Sequence, residues 1–370
     1  MTSVRLVADD LTGALDTGAA LLGLAGRLPA YWADVIPSEL PPSAVLDGGT
    51  RELDRAEAVA RASVLASSLA GADIAYRKVD SLLRGHALAE VAATFRSGAW
   101  AHGVFAPAFP AQGRVTRGGR QFALGEGGLW SAVSGDLPAA LRLEGVPASL
   151  VRPDGDLPAG IGVFDAGDDE DLGRVVETAL WCGGPVLWCG SGGLAGALAR
   201  GADPSPLPAL RPPILGVFGS DQPATERQLD ACGPWRTRLA AGGREGTLRV
   251  AARLEADGAA LVSFELPDGL SRDAAAAAIR AAIEPLVAYL PAPGTLVVAG
   301  GETLRAVCET LGARRLDLIG SVTPGVPRSV LCGGRWDGVE IVSKSGAFGR
   351  PHLLLDLLRS AGIAARRNES

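Results

Sequence analysis

The sequence has very little lysine: its 370 residues include only Lys78 and Lys344, against 33 arginines. Because such a composition uses guanidinium wherever a positive charge suffices, a retained lysine indicates a site where the compact ammonium is needed. The formal net charge of −6 excludes a general electrostatic attraction to nucleic acid. Any anionic ligand must therefore be bound by local cations and backbone amides.

Other absences narrow the class of protein further. The five cysteines lack CxxC spacing, and their odd number argues against a disulfide framework and for a reducing compartment. The three histidines form no metal-ligand spacing. No apolar run is long enough to span a membrane, and no signal peptide precedes the first apolar segment. We expect a cytoplasmic protein without membrane or nucleic-acid partners, and homo-oligomerisation stays open.

Short apolar runs alternate with alanine-rich segments of helical periodicity, which predicts an α/β fold with mostly parallel sheets. The predicted strands are residues 4–8, 44–46, 74–77, 103–106, 161–164, 185–188, 214–218, 259–265, 295–299 and 339–343. The proline-rich segment 201–213 is predicted to be a linker. We therefore predict two three-layer α/β domains, residues 1–205 and 206–370, with the active site in the cleft between them. The last helix could pack on either domain.

Two carboxylates, Asp9 and Asp10, follow the first predicted strand and precede a helix predicted to begin near Thr12. Ligands of open α/β sheets bind outside the carboxyl ends of strands, where these side chains would lie. A carboxylate in that position suits a general base or a ligand of Mg²⁺. Adjacent residues leaving a strand diverge, so we expect one of the two to face the ligand and the other to cap the helix or hold a loop.

The first lysine lies in a compact polar segment, residues 78–85, after another predicted strand. Arg84 would bind a substrate carboxylate through two parallel hydrogen bonds. Lys78 would neutralise a transferring phosphoryl group or a second substrate oxygen. Asp80 is a second candidate for the general base. The alternative is a turn in which Asp80 only pairs with Arg84 at helical spacing, which contributes little to stability.

Three strand-to-loop transitions in the second half contain glycine and serine, at residues 219–220, 300–303 and 344–349. Backbone N–H groups and the positive end of a helix favour an anion at such turns. Three of them in one domain predict a nucleotide site. The sequence matches neither Walker A nor GxGxxG, so a simple tight Gly-Gly turn is the alternative.

Taken in order, these motifs resemble those of the four-carbon acid sugar kinase family. Residues 9–14 are similar to its N-terminal Asp-Asp-Leu-Thr-Gly-Ala hallmark, and residues 78–85 to its Lys-Val-Asp-Ser-Thr-Leu-Arg-Gly segment. The segment 107–114 is similar to its Pro-Ala-Phe-Pro-x-x-Gly-Arg loop. Further motifs follow the family's pattern at residues 190–195, 219–220, 300–303, 324–327 and 344–349.

The resemblance covers essentially the whole chain. It implies an N-terminal acid-sugar domain, a C-terminal ATP domain, and phosphorylation of an erythronate-, threonate- or oxo-tetronate-like acid with ATP and Mg²⁺. The expected catalytic residues are Asp10, Asp80 and Lys78. The expected acid-binding residues are Asp9, Thr12, Asp16, Ser81, Arg84, Gln112 and Arg114. The expected nucleotide-binding residues are Ser220, Gly300, Gly301, Glu302, Thr303, Lys344, Ser345 and Gly346. Metal ligands stay unassigned.

Four positions depart from the family's pattern. Leu82 stands where the family has threonine, Asp221 and Gln222 stand where the family has a small Cys-Ser pair, and Ala347 replaces a glycine. An extra carboxylate near phosphates is unfavourable unless a metal intervenes. Two alternatives therefore stay open: a kinase for a different small hydroxy-acid, and a non-catalytic relative that binds a nucleotide or metabolite.

Overall fold

A computed structural model describes residues 1–32, 35–125, 127–202, 207–219, 221–240, 244–267 and 269–363. The chain divides into two compact units, Met1–Pro204 (unit 1) and Ser205–Ser370 (unit 2). Both units combine helices with a largely parallel sheet, which confirms the predicted α/β fold class. Within the described ranges, no helix has both the length and the hydropathy needed to cross a bilayer.

Unit 1 alternates strands and helices along the chain. Its strands are β1 (Val4–Ala8), β2 (Leu28–Trp32), β3 (Ala44–Asp47), β4 (Ile74–Lys78), β5 (His102–Ala106), β6 (Arg114–Arg117), β7 (Arg120–Leu124), β8 (Trp130–Ala132), β9 (Ala148–Val151), β10 (Gly160–Phe164) and β11 (Val186–Gly190). Its α-helices are α1 (Leu11–Ala25), α2 (Arg55–Ala66), α3 (Ala87–Ser97), α4 (Leu137–Leu143), α5 (Asp169–Leu180) and α6 (Gly192–Leu198).

The main sheet of unit 1 has the strand order β2-β3-β1-β4-β11-β5-β10-β9, and all of its ladders are parallel. Strands β4 and β10 are buried along their whole length, as expected of a parallel sheet covered on both faces. The helices contact one another in two groups. In one group α6 contacts both α1 and α5, and in the other α3 contacts both α2 and α4. Such grouping is typical of helices that cover the two faces of a sheet.

A small antiparallel sheet, β6-β7-β8, branches from unit 1 after β5. Gly118 and Gly119 form the turn between β6 and β7 with φ of +56° and +69°, values that glycine adopts without steric cost. The Asp165 carboxylate accepts a hydrogen bond from each of their N–H groups, at 2.7 and 2.9 Å. This hairpin, which the sequence analysis did not predict, carries Arg114 at its first position.

Unit 2 continues the alternation. Its strands are β12 (Ile214–Phe218), β13 (Arg236–Ala240), β14 (Ala259–Glu265), β15 (Thr295–Ala299), β16 (Arg315–Thr323), β17 (Val326–Cys332) and β18 (Glu340–Lys344). Its α-helices are α7 (Pro223–Ala231), α8 (Arg244–Asp257), α9 (Arg272–Tyr289), α10 (Gly301–Leu311) and α11 (Leu353–Ser360).

The sheet of unit 2 combines two kinds of pairing. Strands β13-β14-β12-β15-β18 are parallel, whereas β17 pairs antiparallel with both β18 and β16. Strands β12, β15 and β18 are buried throughout and lie side by side in the parallel part. Their carboxyl ends therefore meet at one edge, beneath the loops expected to bind a nucleotide.

Candidate active site

Three neighbouring parallel strands of unit 1 end side by side. Val7 of β1 pairs with Leu46 of β3 on one side and with Arg77 of β4 on the other. The residues that follow these strands consequently leave the sheet at the same edge. This register brings Asp9, Lys78 and the loop after β3 together.

The two adjacent carboxylates take different roles in the fold. Asp10 caps α1: its carboxylate accepts hydrogen bonds from the Gly13 N–H at 3.0 Å and from the Thr12 hydroxyl at 2.7 Å. Asp9 accepts two hydrogen bonds from the Arg51 guanidinium, at 2.7 and 2.9 Å. The Asp10 side chain is 17% exposed and that of Asp9 is 5% exposed. Asp10 is therefore the more accessible of the pair, although it is also the cap.

Arg51 is a member of the site that the sequence analysis missed. Its Nη2 lies 2.8 Å from Asp10 Oδ1 and 3.7 Å from Asp80 Oδ1. Burial lowers the pKa of Arg51, but the charges of the surrounding carboxylates raise it more, so the guanidinium stays protonated. A signal was present, because Arg51 lies in the loop that follows β3 and the rule that ligands bind at strand ends applies to that strand as well.

Asp80, just after β4, is tied to Arg84. It accepts hydrogen bonds from Arg84 Nε at 2.9 Å and Nη2 at 2.7 Å, and from the Leu82 N–H at 3.1 Å. Burial raises the pKa of Asp80, but the Arg84 hydrogen bonds and the charges of Arg51, Arg84 and Lys78 outweigh it and hold that pKa well below its usual range. The paired turn considered in the sequence analysis is therefore formed, and Asp80 is a weak proton acceptor.

The loop that carries this ion pair is conformationally special. Leu83 has φ of +55°, a left-handed conformation that costs a non-glycine residue about 1–2 kcal/mol. Such strain persists where the surrounding structure imposes it, and it is frequent at ligand sites. A Cβ added to Gly85 would lie 3.2 Å from the Arg51 carbonyl oxygen, so this loop packs directly against the backbone of Arg51.

Lys78, the last residue of β4, is buried beside these groups. Its ammonium makes no hydrogen bond and no ion pair with any residue that the structure describes. A methyl group added to Gly13 would lie 2.5 Å from Asp10 Oδ1 and 2.8 Å from Lys78 Nζ, so the ammonium and the carboxylate are close neighbours across Gly13. Since a buried charge is costly unless it is compensated, this ammonium is well suited to bind an anionic group of a ligand.

The remaining expected acid-binding residues of α1 lie around this centre. Thr12 is buried and orients Asp10 through its hydroxyl. Asp16 lies one turn further along α1, where a Cβ added to Gly192 would be 3.2 Å from its Oδ2. Asp16 therefore lies beside the start of α6.

Arg114, Gln112 and Ser81 frame the other side of the Asp80 loop. Arg114 Nη1 donates to the carbonyls of Gln112 and Gly113, at 2.8 and 3.0 Å. Burial lowers the pKa of Arg114, whereas the nearby Asp80 charge raises it. Gln112 and Ser81 contribute backbone carbonyls, and that of Ser81 accepts a hydrogen bond from Gln121. Arg114 thus lies within electrostatic range of Asp80. We call the cluster of Asp9, Asp10, Asp80 and Lys78 the acid site, after the ligand expected there.

In unit 2, strand register gathers the expected nucleotide loops. Phe218 of β12 pairs with Ala299 of β15, and Ala299 pairs with Lys344 of β18. Gly219, Gly300 and Ser345 consequently leave the sheet at one edge. Ser220, also expected in this site, lies outside the described residues.

The turn between β15 and α10 begins with two glycines, which present bare backbone. Gly300 has φ of +97° and precedes Gly301, Glu302 and Thr303 in the first turn of α10, which has no side-chain cap hydrogen bond. A Cβ added to Gly219 would lie 2.6 Å from Thr303 Oγ1. Bare backbone at a helix N-terminus is the arrangement that accepts phosphate oxygens, so these loops fit a nucleotide.

Lys344 is held by its own loop. Its Nζ donates to Thr225 Oγ1 at 3.0 Å and to the carbonyls of Ser345 and Gly346 at 2.9 and 3.4 Å, and Thr225 in turn donates to Gly346. Burial lowers the pKa of Lys344 to about 7. In the structure this lysine shapes the loop, and a direct contact with a phosphate stays a prediction.

The carboxylates of the acid site do not fit a metal ion. Asp9, Asp10 and Asp80 are all engaged by guanidinium groups, whose positive charge opposes a cation. Over the ranges that the structure describes, no group of three or more His, Cys, Asp or Glu side chains is arranged to hold a metal. The Mg²⁺ ligand considered for the Asp9–Asp10 pair therefore has no support in this arrangement.

Comparison with known proteins adds the family context. One family model, for a sugar-binding N-terminal domain, matches residues 4–149, and another, for a nucleotide-binding C-terminal domain, matches residues 236–354. The chain is 32% identical to the D-threonate kinase of Cupriavidus necator, over 93% of this chain and 94% of the relative. It is 26% identical to the D-erythronate kinase of Heliobacterium modesticaldum, over 94% of each. A solved Salmonella typhimurium protein, described as a tRNA synthase, shares the fold with a TM-score of 0.72 and 21% identity, over 96% of this chain and 98% of that one.

Proposed function

The chain belongs to the family of four-carbon acid sugar kinases, and from this premise we propose that it phosphorylates D-threonate, with the acid bound in unit 1 and ATP in unit 2. The reaction itself follows from the family: the γ-phosphoryl group of ATP is transferred to a hydroxyl of a four-carbon acid sugar. The D-threonate kinase relative, similar over nearly the whole chain, supports D-threonate as the acid. The observation that carries the residue assignment is the buried Lys78 side chain beside Asp10, whose ammonium forms no hydrogen bond with any residue that the structure describes.

Lys78 is the proposed anchor for an anionic oxygen of the acid or of the phosphoryl group in transfer. Phosphoryl transfer depends on positioning and on neutralising charge in the transition state, which a preoriented ammonium supplies. Arg84 is the second proposed anchor. Its side chain is 47% exposed, but it would have to exchange Asp80 for the substrate carboxylate. The acid site thus offers one cation that is already available and one that requires an exchange of partners.

Asp10 is the proposed general base for the substrate hydroxyl. It is the most exposed of the three carboxylates, with 17% exposure against 5% for Asp9 and 9% for Asp80. Asp80 is less suited, because the Arg84 hydrogen bonds and nearby positive charges hold its pKa well below its usual range despite its burial. A base must also lie within hydrogen-bond reach of its hydroxyl, which a residue at the strand end can satisfy.

ATP is proposed to bind in unit 2 through backbone groups of the loops that begin at Gly219, Gly300 and Ser345. The first turn of α10 would bind phosphate oxygens, and Lys344 would keep the Ser345–Gly346 loop in shape. Phosphoryl transfer generally uses Mg²⁺ held largely by the phosphates, and we assign it no protein ligand in unit 1. Replacing Gly301 with a bulky residue should weaken ATP binding and leave acid binding nearly intact.

A kinase for a different hydroxy-acid is a second candidate, and Leu82 favours it. Leu82 is half-buried in the Asp80 loop, where the family has a threonine. An apolar side chain there would suit an acid that lacks a hydroxyl at the facing carbon. The change would alter the choice of acid and leave the reaction type intact.

The test is ADP formation with a panel of acids under ATP and Mg²⁺. D-threonate should give the highest kcat/KM, D-erythronate a lower value, and D-threitol, which has four carbons but no carboxylate, none above the rate of ATP hydrolysis. A clear preference for another hydroxy-acid would favour the second candidate. Absence of acid-dependent ADP formation with every compound would contradict a catalytic role.

A further inference from the structure

Arg51 occupies the centre of the acid site of unit 1, yet the proposed reaction has so far given it no role. It follows β3 through the turn at residues 47–50, and its N–H donates to the Asp9 carbonyl at 3.2 Å. The Thr50 N–H donates to the same carbonyl at 3.0 Å, while the Thr50 hydroxyl donates to buried Glu90 at 2.6 Å. The backbone at Arg51 is therefore fixed against the end of β1.

The guanidinium reaches three carboxylates that leave two different strands. It binds both oxygens of Asp9, lies 2.8 Å from Asp10, and lies 3.7 Å from Asp80. Three buried or half-buried carboxylates so close together would repel one another without it. A lysine could not replace this pattern, because a single ammonium cannot form the fork on Asp9 and also reach Asp10.

Arg51 also accounts for the state of Lys78. Because Asp9 and Asp10 have a cation of their own in Arg51, and Asp80 has one in Arg84, Lys78 forms no ion pair with any described residue. Without Arg51, the nearest carboxylates would attract the ammonium across Gly13. The arrangement therefore keeps one ammonium available and one carboxylate oriented, the two groups that phosphoryl transfer to a hydroxyl needs.

We propose that Arg51 is a positioning residue of the kinase reaction, which fixes the Asp10 carboxylate towards the substrate hydroxyl and keeps Lys78 available for an anionic oxygen. This inference rests on the proposed function and deepens it. If Arg51 only formed structural ion pairs, the result would differ. Its loss would then lower the stability of the protein and leave the kcat, KM and pH profile of the folded enzyme unchanged.

The test compares Arg51→Lys and Arg51→Ala with the control Arg5→Ala. Arg5 lies in β1, the strand that pairs with β3, and the partners of its guanidinium among the described residues are backbone carbonyls, those of Pro42, Ser68 and Leu40. We would measure kcat, KM for acid and for ATP, the pH profile of kcat/KM, and Tm. Folded Arg51→Lys should lose kcat on the order of 100-fold, with KM for ATP unchanged. The Arg5 control should keep wild-type kinetics.

The pH profile separates positioning from stability. Burial raises the pKa of Asp9 and Asp80, and the Arg51 charge helps to lower it, so without Arg51 these two carboxylates should take up protons at higher pH. Their protonation would disturb the hydrogen bonds around the site, and kcat/KM should therefore fall at a higher pH in Arg51→Ala than in the wild type. Added guanidinium should restore part of the turnover of Arg51→Ala. Suppose that the wild type is active and that Arg51→Lys folds, keeps a normal kcat and has an unchanged pH profile. That result would overturn the role proposed for Arg51 and leave the proposed function standing. A wild-type enzyme inactive on every four-carbon acid would overturn the proposed function and this inference with it.

Discussion

The two lysines of the chain each end a buried parallel strand, Lys78 in β4 of unit 1 and Lys344 in β18 of unit 2. Both side chains are almost fully buried, at 5% and 2% exposure. The Lys344 side chain donates hydrogen bonds to three oxygens of its own unit, whereas the Lys78 side chain has no hydrogen-bond partner among the described residues. Equal burial at equivalent strand ends therefore does not mean an equal role.

The difference lies in what surrounds each ammonium. Carboxylates surround Lys78, and the positive charges of Arg51 and Arg84 already engage them. Among the described residues, the hydrogen-bond partners of the Lys344 side chain are a hydroxyl and two carbonyls, and burial lowers the pKa of Lys344 to about 7. Lys78 is consequently the proposed anchor for an anionic ligand, whereas Lys344 is a hydrogen-bond donor that holds a loop. Substitutions at each site test whether the two lysines differ in this way.

The largest effect is expected at the carboxylate beside Lys78. Asp10→Asn should lower kcat by about 10²–10⁴-fold with little change in KM for ATP, because the variant cannot accept the hydroxyl proton. Asp80→Asn should act more on acid binding, since it releases Arg84. Steady-state kinetics on folded variants decide the order. A near-normal kcat for Asp10→Asn with an inactive Asp80→Asn would reverse the assignment.

Replacing the two lysines in parallel tests the comparison directly. Lys78→Met should weaken transition-state binding of the acid by about 2–5 kcal/mol, measured as kcat/KM, and Lys78→Arg should not restore it. Lys344→Met should keep KM for the acid and lose about 1–3 kcal/mol of unfolding free energy, because carbonyls of its loop lose their donor. Similar kinetic losses in both variants would show that the two ammonium groups act alike.

A pair of glycines tests the space around each site. Gly13→Ala should reduce kcat/KM for the acid by up to about 10²-fold, since its methyl group would displace Asp10 or Lys78. Its Tm should not fall sharply, because alanine favours the helix by about 1 kcal/mol. Gly219→Ala should instead raise KM for ATP by crowding Thr303. If Gly13→Ala changed only KM for ATP, Gly13 would not border the acid site.

The smallest effect on catalysis is expected from Lys344, which should instead give the stability of the protein a pH dependence. Its folded pKa of about 7 lies below the ordinary value of 10.5, so between these values the unfolded chain binds a proton that the folded chain does not. The free energy of unfolding should therefore rise as the pH increases from about 7 to 10.5. This added stability should be lost again as the pH falls towards 7. Urea unfolding of wild type and Lys344→Met across pH 6.5–10.5 isolates the contribution. Parallel curves for both proteins would contradict the lowered pKa.

The local pattern of apolar residues in the sequence was sufficient to predict most strands of the parallel sheets. The predicted strands Val4–Ala8, Ile214–Phe218, Ala259–Glu265 and Thr295–Ala299 have the same bounds in the structure. The elements that were missed are short, polar or antiparallel, such as β2 with its internal proline and the hairpin of β6 and β7. In β16 burial alternates with period two, a strand signal that was present in the sequence and was not used.

The sequence by itself determined the α/β class and the strand-end position of the acidic and lysine motifs, because hydrophobic periodicity and strand ends are local properties. Only the tertiary structure decided which charges meet. Arg51 reaches Asp9 and Asp10 because β3 lies beside β1 in the sheet, an adjacency that the local pattern does not encode. The same holds for Lys344 and Thr225, which are far apart in the chain and meet only after β12, β15 and β18 align. Electrostatic partners depend on these three-dimensional neighbours, so Lys78 and Lys344 could be distinguished only in the folded protein.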